Sequence, residues 1–106
     1  MTIIKNGAIA INEIKRIQRA IDCRALVRSM TARLDLQEAN ALLSESIEAI
    51  QDGNRDRAID RLILARDCLA VVVSDLDAVD GFDRDAMYRL RDGLNATKGI
   101  LVLYFS

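Results

Sequence analysis

Residues 53–79 read Gly53-Asn-Arg-Asp-Arg-Ala-Ile-Asp-Arg-Leu-Ile-Leu-Ala-Arg-Asp-Cys-Leu-Ala-Val-Val-Val-Ser-Asp-Leu-Asp-Ala-Val79, and this stretch decides the fold. Ala58, Leu62, Ala65, Leu69, Val72, Leu76 and Val79 recur at intervals of three and four, the spacing that gathers side chains on one side of an α-helix. A second row, Ile59, Ile63, Ala70 and Val73, widens the apolar side until an arginine and aspartate ridge is left for water. So broad an apolar surface needs neighbours on more than one side, which predicts a central helix in a bundle.

The chain on either side supplies those neighbours. Upstream, Asp52-Gly53 breaks a helix whose core side is Leu36, Ala39, Leu42 or Leu43, Ile47 and Ile50, and the joint is short enough to force an antiparallel hairpin. Asp35 with Glu38 has the spacing of an acidic capping box and predicts the start of that helix near Leu36. Before it, Ile11, Ile14, Ile17, Ile21, Ala25, Met30 and Leu34 follow a helical stripe that predicts a first helix over roughly 8–33, after a short arm at 1–7. Downstream, Asp80-Gly81-Phe82-Asp83 marks a turn, with Asp83 as N-cap of a last helix carrying Met87, Leu90, Leu94, Thr97, Leu101 and Tyr104 on one side. The expected fold is therefore all-α: an antiparallel four-helix bundle with helices at roughly 8–33, 36–52, 55–79 and 84–104, in one domain over residues 1–106.

Composition agrees with that architecture. Apolar residues make up 51% and charged residues 29%, while proline is absent, as suits long helices of a soluble domain. The chain has no run of about 18 apolar residues to span a membrane and begins without the long apolar run of a secretory signal. Cys23 and Cys68 stand far apart with no His in the chain, so zinc patterns are excluded and reduced thiols in a cytoplasmic protein are expected. The net charge of −1 hides an asymmetry. Residues 1–35 hold seven basic and three acidic side chains, against eight basic and thirteen acidic in the remainder.

Little here is equipped for chemistry. Without His, and with neither cysteine beside a base, acid–base and nucleophilic catalysis lack their usual groups, so a non-enzymatic protein is expected with no cofactor. Asp52, Asn54, Asp56 and Asp60 suggest a calcium loop, but its sixth position is Arg57 instead of Gly and its twelfth is Ile63 instead of Glu. The run Asp75, Asp77, Asp80, Asp83 and Asp85 fails the same register, and no metal site is expected. Lys15, Arg16, Arg19 and Arg28 give the first helix a basic surface, but it has no aromatic residue for stacking, so nucleic acid is a weaker reading than protein.

Residues 38–95 add a resemblance. The hairpin that turns at Ile50-Gln-Asp-Gly-Asn54, the Ala65-Arg66-Asp67 step and the later Met87-Tyr88 pair resemble the flagellin-specific export chaperones. Residues 57–103 are similar to the small flagellin-associated regulators. The resemblance implies a helical protein that binds an amphipathic segment of flagellin or another secretion substrate. It departs from the chaperone pattern in placing its extra helix first and making it basic. Candidate contact residues are Ile14, Ile17 and Ile21 on the first helix and Leu101, Tyr104 and Phe105 in the apolar end Ile100–Phe105. The alternative is a self-associating structural or regulatory protein, for example phage-encoded, with that end as a homodimer interface.

Overall fold

The helices alternate in direction, so that each packs antiparallel to the next: α1 (Gly7–Ile21), α2 (Met30–Gln51), α3 (Arg55–Asp77) and α4 (Arg84–Phe105). The computed structural model describes residues 6–23, 26–78 and 83–105. The expected arm lies outside the described residues except for Asn6, in the left-handed region at φ 57°, and Gly7, which already belongs to α1.

Polar contacts fix the register of each pair. Arg61 Nε lies 3.0 Å from Glu45 Oε2 across α2 and α3, and Arg91 Nη2 lies 2.9 Å from Asp77 Oδ1 across α3 and α4. Arg55 donates to the Phe105 carbonyl at the other end of that second pair. Arg16 meets Asp92 at 3.1 Å, and Arg89 donates to the Arg19 carbonyl at 2.8 Å, which sets α1 against α4. Gln18 closes the ring, donating to the Asn40 carbonyl at 3.3 Å and to Ser44 Oγ at 2.8 Å on α2. The result is a rod of 49 × 19 × 18 Å.

One core runs along this rod, and its largest sealed side chains are Ile14 and Ile17 of α1, Leu36 and Leu43 of α2, Leu62, Leu69 and Val72 of α3 and Leu90 of α4. The stripe quoted from residues 58–76 is buried throughout, from Ala58 to Leu76. Two buried hydroxyls are satisfied within their own helices: Ser46 donates to the Leu43 carbonyl at 2.6 Å and Thr97 to the Gly93 carbonyl at 2.7 Å. Neither leaves an unpaired polar atom in the apolar interior.

The second half agrees closely with the expected boundaries. Gly53 takes φ 72°, a left-handed turn that glycine accepts without strain, and Asn54 Oδ1 then accepts from the Arg57 amide at 3.1 Å to start α3. Asp83 Oδ1 accepts from the amides of Asp85 (2.8 Å) and Ala86 (3.3 Å), as expected of the N-cap of α4. The preceding Asp80-Gly81-Phe82 lies outside the described residues.

The first half requires a correction. The helix expected over 8–33 ends at Ile21, and α2 begins at Met30 behind Ser29, whose side chain accepts from the Ala32 amide at 3.3 Å. Asp35 and Glu38 are not a cap but lie within α2. Matching helix lengths explain why. A helix of 23 residues such as α3 rises about 34 Å, and the 22 residues of α2 rise about 33 Å beside it. Starting instead at Leu36, α2 would span about 24 Å and leave Val72 and Leu76 at the far end of α3 without a neighbour on α2. The chain therefore turns early. Cys23 and Val27 are buried against that end of the core, and Arg33 Nε donates to the Val27 carbonyl at 2.5 Å, pinning the turn to α2.

Candidate functional site

The chemistry available to the side chains narrows the search. Among the described residues, no three His, Cys, Asp or Glu side chains gather where they would hold a metal ion. A reactive thiol needs a depressed pKa. Burial pushes the Cys23 thiol up, and Cys68 is also raised, by burial first and then by the charges of Glu38, Asp35 and Asp67. Both are free thiols.

The contact residues expected on α1 do not lie on a surface. Ile14, Ile17 and Ile21 are buried in the core, where Ile17 and Ile21 pack beside Gly93 of α4. In this structure they hold the bundle together and offer no free face. The apolar end is divided: Phe105 is buried, Leu101 and Tyr104 are half-buried against the core, and Leu103 is 74% exposed. Register accounts for Leu103. With Arg16 level with Asp92, Gly7 falls level with residue 101, so the last turn of α4 passes the start of α1.

Of the expected basic surface, Lys15, Arg19 and Arg28 are exposed. Arg16 is half-buried and tied to Glu13 (3.3 Å) and Asp92 (3.1 Å). Its hydrogen bond to Asp92, foremost, raises its pKa and holds the guanidinium charged. Lys15 and Arg19 rim a groove of about 530 Å³ between α1 and α2, floored by Ile21 and Leu36 and flanked by Gln18 and Asn40.

A different surface stands out on the outside of the α2–α3 hairpin. Leu64 (40% exposed), half-buried Cys68 and Val71 (51%) stand at i, i+4 and i+7 on α3, and so share a face. Met30 (66%) and Leu34 (57%) stand at i and i+4 on α2. The Arg61–Glu45 pair registers the two helices. Eleven residues on in opposite directions, Leu34 comes level with Val72, the residue after Val71. From the level of Leu64 to that of Met30, this apolar row runs about 18 Å at 1.5 Å per residue. Asp35, Glu38 and Asp75 border it and make no ion pair among the described residues.

The charge of the whole molecule divides along the same line. α2 carries one basic and four acidic residues and α3 four and five, a net of −4 for the hairpin. α1 carries three basic and one acidic and α4 four and two, a net of +4 on the opposite side. The row is not visible from the sequence because Met30 and Leu34 continue the stripe of the first helix, and Leu64 and Val71 fall on the ridge expected to be arginine and aspartate. The spacing Leu64-x3-Cys68-x2-Val71 was the signal that this ridge is partly apolar.

No helix among the described residues is long and apolar enough to cross a membrane. The fold and its faces define a four-helix bundle with one acidic and one basic long side. No family model, curated protein or solved structure matches the chain.

Proposed function

We propose that the protein is a non-enzymatic helical interaction protein that holds an amphipathic segment of a partner protein against the outside of the α2–α3 hairpin. The observation that carries this reading is the row Met30, Leu34, Leu64 and Val71, exposed on a bundle whose interior is already filled. Single exposed apolar residues are commonplace, but a row of them beside carboxylates without an ion pair among the described residues is what a helix-in-groove partner fits. The resemblance to flagellin-specific export chaperones suggests the partner: flagellin or another secretion substrate, met in the cytoplasm, where free thiols such as Cys23 and Cys68 persist. The docking surface differs from the α1 isoleucines first expected, because those form core.

Replacing Leu34 and Val71 together by serine tests the reading, since both are exposed and the fold should tolerate the change. In co-purification from the source organism, a defined partner retained by the unaltered chain should be lost from the double variant at unchanged helicity. Equal retention by both contradicts the reading. A second reading, self-association, is favoured by Ile9 and Leu103, exposed together where α4 passes the start of α1. It predicts a doubled mass in solution, and a strict monomer at high concentration rejects it.

A further inference from the structure

We infer that the segment received by the α2–α3 face is a basic amphipathic helix, an apolar stripe flanked by lysine or arginine; this rests on the docking reading above. An apolar row about 18 Å long accepts some three turns of helix, with anchors at i, i+3 or i+4, and i+7. Charge then selects among such helices. Asp35 and Glu38 lie beside Leu34 on α2, and Asp75 stands one turn beyond Val71 on α3, all three without an ion-pair partner among the described residues. Glu45, further along, is already paired with Arg61, as Asp67 is with Arg66, while Glu48 and Asp56, also without an ion pair among the described residues, lie beyond the Leu64 end of the row; beside the row itself the open carboxylates are Asp35, Glu38 and Asp75. After burial, the charges of Glu38 and Asp35 on α2 raise the pKa of the half-buried Cys68 thiol of α3, which agrees with their standing on the side of α2 near that helix. An acidic helix laid on this face would meet a hairpin of net −4, whereas a basic one would give each open carboxylate a partner.

A second copy of the chain supplies the charge but not the shape. Its basic α1–α4 side carries net +4, yet the large apolar residues exposed there among the described residues are split between Ile9, Val102 and Leu103 at one end and Tyr88 towards the other, with the Arg16–Asp92 ion pair between, so they form no continuous row to match the hairpin.

The test is an NMR titration of the isotope-labelled full chain, at low salt, with three synthetic helices of about five turns. One has a leucine stripe flanked by lysine, one the same stripe flanked by glutamate, and one the lysines with the stripe changed to serine. The lysine–leucine helix is expected to shift the amides around Leu34, Leu64 and Val71. Its binding should weaken about tenfold in Asp35→Asn/Glu38→Gln, as for the loss of two partly exposed ion pairs, and should also weaken as salt rises. Val71→Ser should weaken it independently of salt. Equal binding of the glutamate-flanked helix overturns the charge assignment while leaving the docking reading intact. Failure of both leucine helices removes docking reading and inference together. Equal binding of the serine-striped helix shows mere charge attraction and overturns the proposal, as does a labelled chain that already self-associates through this face.

Discussion

Gly93 and Gly99 both lie in α4, and their surroundings give substitution opposite signs. A Cβ on Gly93 would stand 2.7 Å from Ile21 Cγ2, whereas nothing lies within 4 Å of one on Gly99. Alanine in place of glycine within a helix gains about 1 kcal/mol from backbone propensity. At Gly93 that gain is opposed by overpacking, typically about 1–3 kcal/mol, against a β-branched side chain too short and stiff to swing aside. Gly93→Ala should therefore lower stability in denaturant unfolding, and part of the loss should return in the Gly93→Ala/Ile21→Ala pair relative to the sum of the single changes. Gly99→Ala should raise stability by about 0.5–1 kcal/mol. Stabilisation by Gly93→Ala would mean that α1 and α4 approach less closely than described. Sequence alone marks both glycines as weak points of a helix; the difference between them comes from Ile21, 72 positions before Gly93 in the chain.

At the scale of the element, α2 separates two readings of one stretch. Asp35 and Glu38 have the spacing of a cap but lie within the helix, while Ser29 accepts the Ala32 amide at the true start. Ser29→Ala should then cost about 1 kcal/mol, the usual value of a lost N-cap, and Asp35→Ala should change stability by no more than about 0.5 kcal/mol. Chemical denaturation of the two variants checks the assignment, and the reverse order of effects would restore a start near Leu36. α3 and α4 were legible because local signals agreed with packing: Gly53-Asn54 and Asp83 sit where turns and caps are needed, and Ala58 to Leu76 keeps one period throughout. The α1–α2 joint was not legible because it contains neither glycine nor proline, and because Met30 and Leu34 continue the period of Ile14, Ile17 and Ile21 by coincidence. What sets that joint is the length of α3, a property of the assembled bundle that no local window contains. The candidate site was hidden by the same error. Once Met30 and Leu34 move to α2, they join Leu64 and Val71 on one surface.

For the whole molecule, the division of charge into an acidic α2–α3 side and a basic α1–α4 side turns a bundle of net charge −1 into a strongly two-sided rod. Oppositely charged sides orient a charged partner before contact and make its association rate fall with salt. The exposed row then provides the apolar area that charge alone lacks. Both features lie on the hairpin, so the central claim is positional: a partner meets α2 and α3 on their outer side, not the basic α1 surface or the apolar end of α4. Position-resolved photocrosslinking in the source organism tests this most directly, with a crosslinking side chain placed in turn at Leu34, Val71, Arg19 and Leu103, all exposed. The account predicts one shared heterologous adduct from positions 34 and 71 and none of that mass from 19 or 103. An adduct confined to 19 or 103, or one from 103 alone with twice the mass of the chain, would contradict it.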